Sequence, residues 1–316
     1  MEQETLALKR SCVDFPTGFV GFPCIAPLDR DNCIITDWSG HIAVFNLTSR
    51  KVLARTYVGV EALSACQNLQ SLCVEPSESK TAAVATRGGY AVVYDSERHD
   101  FQRIHPEQGG TVNSVAFAPE GKLLAIGTGS YALSGSQQPA MVELWSLEGE
   151  TPKCLGFVAL PGVCVDAMTW DAYGQEIAVA TGLRSQDRGF VARLDASDLR
   201  PLAFAETPWA MSRRLAFVDG GGDSGDLVIA HNGTIQLLDR QDGSEGWKVE
   251  SGATFADFAH DPDENLVVLT NGAVLDASDG SATDQLKSMT DCTSVAVRPG
   301  GGYLGASREG KLCWWG

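Results

Sequence analysis

The side chains of this 316-residue chain best suited to chemistry are nine cysteines, five histidines and 40 aspartates and glutamates. Zinc chemistry needs thiols and imidazoles closely paired in sequence, as in C-x-x-C. No two of Cys12, Cys24, Cys33, Cys66, Cys73, Cys154, Cys164, Cys292 and Cys313 have that spacing. His41, His99, His105, His231 and His260 are scattered. Most cysteines lie in apolar runs such as SLCV and KLCWW, where a buried free thiol behaves as a small hydrophobe. Serine hydrolase chemistry would need a G-x-S-x-G elbow, and none is apparent. The run Gly220 to Gly225 (GGGDSG) resembles a phosphate loop but lacks its lysine and its strand-to-helix context. The residue types therefore predict no metal, no cofactor and no catalytic centre. Asn46 and Asn232 head glycosylation acceptor patterns, which are idle in a cytosolic protein.

Charge narrows the partners. Lys and Arg number 24 against the 40 acidic residues, a formal net of -16. From Asp219 to Asp291 there are 15 acidic and 3 basic residues, a net of -12. Such a surface repels phosphate, which speaks against nucleic acid. The start, MEQETLALKR, has no basic-then-apolar leader. No stretch reaches the roughly 18 uninterrupted apolar residues of a membrane span. The expectation is a cytoplasmic protein that does not contact membranes.

Positioning falls to a repeated unit. Thr111 to Glu148 parses as a strand (TVNSVAFA), a Pro-Glu-Gly turn, a second strand, a loop and a third strand ending in Leu-Trp-Ser. A fourth strand follows around KCLGFVAL. The first turn keeps a proline at Pro27, Pro76, Pro119, Pro262 and Pro299. The second hairpin recurs as TDWSGHIAVFN, ATRGGYAVVYD, AHNGTIQLLD, LTNGAVLD and SREGKLCWW. Most of these carry Asn-Gly, Ser-Gly, Gly-Gly or Glu-Gly, pairs that accept the positive φ of tight turns. Third strands end at Asn46, Asp95, Ser146, Asp195, Asp239, Asp276 and Gly316, with spacings from 37 to 51.

The aromatic-then-Asp ending resembles the signature dipeptide of WD repeats, whose period is about 40–45 residues. It appears as Phe45-Asn46, Tyr94-Asp95, Trp145-Ser146, Leu194-Asp195, Leu238-Asp239, Leu275-Asp276 and Trp315-Gly316. No copy is a literal Trp-Asp, and the usual Gly-His is absent. The resemblance implies an all-β fold: a single seven-bladed β-propeller over 1–316 with four-stranded antiparallel blades. The expected blades are 14–58, 63–106, 111–160, 163–206, 211–250, 253–288 and 291–316. The last stops after its third strand, so residues 5–13, around LALKRSCV, are expected to supply its outer strand and close the ring.

Two surfaces stand out. Long loops in the third and fourth blades, and the linker into the fifth, are expected on the top face. They present Tyr131, Gln137, Gln138, Arg184, Arg188, Trp209 and Met211, residue types enriched at interface anchors. The bland alternative is a tolerated loop with Trp209 packed inward. Aligned first strands give a channel-mouth ring of Gly21, Gln70, Asn113, Asp166, Arg213, Ala256 and Thr293, with Asp166 and Arg213 on neighbouring blades. The acidic excess falls in bottom-face loops of the fifth and sixth blades: Asp219, Asp223, Asp239, Asp242, Asp261, Asp263 and Glu264, with Asp226, Glu245, Asp276, Asp279 and Asp284. Those charges either keep a solvated face soluble or steer a basic segment of a partner.

Fold-level analogy with WD repeats implies a non-catalytic scaffold: a monomeric toroid acting as adaptor or subunit of a multiprotein complex. Two alternatives stay open. One is a reader of a peptide or modified residue in the top-face channel. The other is a propeller hydrolase or lyase, against which the single carboxylate of the ring argues.

Overall fold

A computed structural model of the chain describes residues 10–15, 23–37, 40–58, 69–76, 80–86, 88–130, 139–183, 188–209, 212–218, 225–252, 257–286 and 292–316. Among these residues there are 28 β-strands and no helix. The first is β1 (Arg10–Asp14). One group follows as β2 (Cys24–Pro27), β3 (Asn32–Thr36), β4 (His41–Asn46) and β5 (Lys51–Tyr57). The next is β6 (Leu69–Val74), β7 (Thr81–Thr86), β8 (Tyr90–Asp95) and β9 (Asp100–Ile104). Then come β10 (Thr111–Phe117), β11 (Leu123–Gly129), β12 (Ala140–Ser146) and β13 (Lys153–Leu160). They precede β14 (Cys164–Trp170), β15 (Glu176–Leu183), β16 (Arg188–Asp195) and β17 (Pro201–Thr207). The chain continues with β18 (Ser212–Val218), β19 (Asp226–His231), β20 (Thr234–Leu238) and β21 (Glu245–Glu250). After β22 (Phe258–Asp261), β23 (Leu266–Leu269), β24 (Ala273–Asp276) and β25 (Ala282–Gln285), it ends with β26 (Cys292–Val297), β27 (Tyr303–Ser307) and β28 (Lys311–Trp315).

Neighbouring strands within each group pair antiparallel, giving a propeller-like arrangement of small four-stranded sheets. Five sheets are separate. The sixth is eight-stranded, because β10–β13 and β14–β17 touch at one backbone pair, Gly129 with Cys164. This differs from the separate blades expected there, and the cause is local. Gly129 has φ +148°, and a Cβ on it would lie 2.3 Å from the Val163 carbonyl oxygen. Without a side chain the two backbones meet, and the Ser130 N–H donates to Val163 at 2.8 Å.

The first strands of the groups touch one another in the cyclic order β2, β6, β10, β14, β18, β22, β26 and back to β2. The interior follows from that ring. Second and third strands are almost wholly buried, as in β3 and β12, whereas fourth strands such as β5 and β17 are largely exposed. Apolar clusters form between adjacent groups: Ile34, Ile42 and Val44 pack with Val84, Val92 and Tyr94.

The aromatic-Asp endings have a physical role. Oδ1 of Asp95 accepts the N–H groups of Glu97 and Arg98, and that of Asp239 accepts those of Gln241 and Asp242. Asp195 and Asp276 each accept the N–H and hydroxyl of a serine two residues on. The carboxylate thus nucleates the turn into the fourth strand. The residue four places on adopts positive φ: Arg50 at 57°, His99 at 56° and Leu199 at 60°.

A buried ion cluster ties two groups together. Glu176 accepts from Nε and Nη2 of Arg193, both at 2.8 Å, and sits 2.8 Å from Arg240 Nη2. All three side chains are 15% exposed. Arg193 also donates to the Arg240 carbonyl at 2.7 Å, and the Arg240 guanidinium lies 5.2 Å from the Phe217 ring centre.

The N-terminal strand closes the last sheet. β1 pairs antiparallel with β28, with Arg10 opposite Trp315 and Asp14 opposite Lys311. The expected strand, 5–13, began earlier, and residues 5–9 lie outside the described residues. Cys12 falls directly opposite Cys313, and the two form a disulfide. This corrects the reading of all nine cysteines as free thiols. Register brings the pair together across a separation of 301 residues, which no sequence spacing reveals. Cys24, Cys33, Cys73 and Cys154 are free thiols.

Three outcomes follow. Reduction, or Cys12→Ser, should lower stability by about 4 kcal/mol, because the bridge closes a very long loop, and thermal melting should fall by about 8 °C. Deleting residues 1–12 should cost at least as much, and an unchanged melt would refute the closure. Glu176→Gln should cost about 2 kcal/mol in urea denaturation, less than for a fully buried cluster, since two part-buried guanidiniums would then lack their shared anion.

Candidate functional site: the mouth of the central channel

Cross-strand register defines the site. Within two residues of the end of each second strand stands Thr36, Thr86, Thr128, Thr181, His231, Thr270 or Ser307. All are buried. Opposite them on the first strands stand Cys24, Leu69, Val112, Val165, Ser212 and Cys292, and the Asp257 carbonyl accepts from the Thr270 N–H. This band of hydroxyls was visible in the sequence as the Thr, His or Ser heading each second hairpin, but periodicity arguments passed over it.

Five first strands bulge immediately after the paired position. The register shifts fall at 69/71, 112/114, 165/167, 212/214 and 292/294. The extra residues are Gln70, Asn113, Asp166, Arg213 and Thr293, five of the seven expected ring positions. A bulge re-aims its side chain away from the strand's alternation. Asn113 Nδ2 donates to the carbonyls of Thr111 and Gly129 at 3.0 and 3.3 Å, and Thr293 donates to Ala306 at 3.3 Å. Asp166 is half-buried, Arg213 is exposed, and their strands β14 and β18 are in contact.

Gly21 and Ala256, the other two ring positions, lie outside the described residues. Within β2 and β22 there is no register shift; Cys24 stands opposite Thr36, and the Asp257 carbonyl meets the Thr270 N–H. Asp257 Oδ2 lies 3.7 Å from Arg214 Nη1. Burial raises the pKa of the Asp257 carboxyl, opposed by Arg214 and Arg213. Those two consecutive arginines act on Asp257 and also on Cys24 of the β2–β5 sheet. The first-strand side chains of three groups therefore share one electrostatic space.

Burial, with Asp257 next, pushes the Cys24 thiol up to about 11. Burial pushes Cys73, further along β6 opposite Ala83, up to about 12. Both stay protonated at neutral pH, and the thiol is the unreactive form. Among the described residues no group of three or more His, Cys, Asp and Glu is placed to hold a metal.

The remaining predicted residues divide by environment. Tyr131, Gln137, Gln138, Arg184, Met211, Asp219 and Asp223 lie outside the described residues. Arg188 is exposed and pairs with Glu206 at 2.7 Å. Trp209 is 6% exposed, which corrects its placement as an exposed anchor. It stacks on His231 with ring centres 4.1 Å apart and an interplanar angle of 11°. Asp261 is 6% exposed, so it too is corrected as a surface residue; its Oδ1 accepts the N–H groups of Asp263 and Glu264. Asp263 and Glu264 themselves are exposed. Asp239 and Asp242 sit in the turn after β20, where hydrogen bonds from the Ser244 side chain and then its N–H, at 2.8 Å, lower the Asp242 pKa.

Glu143 was missed. It is fully buried, and its two oxygens accept from the N–H groups of Glu107 and Gln108 and from Trp145 Nε1. One carboxylate thereby fixes the linker between β9 and β10. Its position two residues before the aromatic at the end of the third strand is the only sequence trace.

Comparison places this geometry in a known architecture. No protein-family model matches the chain, and no curated protein matches it. A solved structure does: one chain of the crystal structure of the mitotic checkpoint complex superposes with a TM-score of 0.75 at 14% identity, covering 96% of this chain and 90% of that one. The fold is a WD-repeat-like β-propeller.

His231 gives the site a pH signature. Burial lowers its pKa, Nε2 faces Gln236 Oε1 at 3.2 Å, and Nδ1 has no hydrogen-bond partner among the described residues. Folded His231 is thus neutral where unfolded His binds a proton. Stability should be lost as pH falls through the unfolded value, about 6.5. Melting curves from pH 8 to pH 5 should show a decline that His231→Thr, the hydroxyl type found at this position elsewhere, reduces.

Proposed function

We propose that this chain is a non-catalytic protein-interaction scaffold, an adaptor or subunit of a multiprotein assembly. Its architecture in this reading is one seven-bladed propeller spanning 1–316, the strand β1 completing the last blade. The observation that carries it is the cyclic contact of seven first strands, joined to likeness over 96% of the chain to a component of a multiprotein complex. In that complex the neighbour works among other proteins; for this chain the step is analogy. The eight-stranded sheet counts as two blades, because a single residue pair joins its halves.

A rigid toroid suits the role. Each sheet is wedged between two others, so loops and channel side chains are held without a partner present. The bulges favour a second reading within it, recognition of a short peptide at the channel mouth. There Asp166 and Arg213 offer opposite charges on touching strands. The acidic excess repels nucleic acid and favours protein partners with basic segments.

Affinity purification of the tagged chain followed by mass spectrometry tests the proposal. A partner in stoichiometric amount is the expected result, with at least a tenfold loss on Arg213→Glu or on deletion of residues 131–138. Recovery of the chain alone, under gentle conditions and at native abundance, would sink it.

A further inference from the structure

The turn after β20 does more than reverse the chain. Gly243, at φ +70°, is packed so closely on β17 that a Cβ there would lie 2.3 Å from the Ala205 Cβ. That contact presses the 239–243 turn against the outer strand of the preceding group and leaves a groove beside it. The groove is shallow, with room of about 20 Å³, so a side chain can lie across it but not be enclosed by it. Buried Val191, Leu227 and Leu238 form an apolar base, Phe204 one lip, and Asp239 and Asp242 the other.

Two features mark it as a docking surface. Phe204 is 47% exposed and Leu202 on the same strand 39% exposed, a large apolar area to leave in water. Moreover, β17 ends the strand order of its sheet, so among the described residues no further strand covers its outer edge. Charge selects the occupant. The arginines at the base, Arg193 and Arg240, are both engaged by Glu176. At the lip, Asp242 is exposed and Asp239 half-buried, within a 219–291 stretch of net charge -12.

We infer that this groove binds an extended segment of a partner protein in which an apolar side chain stands next to Lys or Arg. The apolar side chain lies against Phe204 over the apolar base, and the cation meets Asp239 and Asp242. The inference rests on the scaffold reading and gives it a second surface, on the rim rather than at the channel.

Selection of a randomised twelve-residue peptide library on the immobilised full chain tests it. Phe204→Ser removes the apolar lip. Asp242→Asn removes the charge but keeps an acceptor for the Ser244 N–H. Both side chains are exposed, so both variants should melt like the parent. Enriched peptides should pair an apolar residue with Lys or Arg within two positions. Their affinity should drop about tenfold in each variant, and added salt should weaken parent binding more than binding to Asp242→Asn. Peptides lacking basic residues, or indifferent to both variants, would overturn the groove. If such peptides instead lose affinity on Arg213→Glu, the groove fails while the scaffold reading stands. No enrichment at all overturns the groove too, leaving the co-purification to judge the scaffold. Light scattering that shows a parent dimer broken by Phe204→Ser would assign the groove to a second copy and equally overturn the inference.

Discussion

No sheet in this molecule can bury both of its faces alone, and that constraint organises everything else. A four-stranded sheet with apolar residues on both sides needs a neighbour on each side. Placing the sheets side by side meets the need for all but the two at the ends of the row. Bending the row until those two meet removes the exception. The contact of β2 with β26 is where this happens, and the pairing of β1 with β28 carries the start of the chain into the sheet at its end. Polar groups fall where this packing leaves room for them: a hydroxyl band around the channel, acidic turn residues at the opposite ends of the strands, and ions such as Glu176 only where opposite charges accompany them.

Much of the fold could be read from the sequence because local rules force residue choices. An Asp at the end of a third strand has a direct job, accepting the first free N–H groups of the turn, and so it recurs. The glycines of the second hairpins recur because those turns need positive φ: Gly40 at 92°, Gly89 at 79° and Gly272 at 88°. The N-terminal strand was recognisable because its apolar run had no other place. The bulged positions of five first strands could be found by counting, since the insertion repeats in step.

Other features depended on three-dimensional register. The bulge that marks the ring in five first strands does not recur within the described residues of β2 and β22. Trp209 read as an interface anchor by its type, yet it stacks on His231, and no local pattern distinguishes an aromatic in a linker that turns inward from one that turns outward. Asp261 has the composition of a surface acid, but its turn is folded under its own backbone. The rim groove depends on one glycine approaching one alanine of the preceding sheet, a contact between residues 38 apart.

The Cys12–Cys313 bridge alters the chain's connectivity as well as its stability. With it in place, residues 12–313 form a covalent macrocycle. A protease that cuts once in any exposed loop between these cysteines opens the backbone yet releases no fragment. Under non-reducing conditions the nicked molecule keeps its full mass, and the two pieces separate only when the sulfur link is reduced.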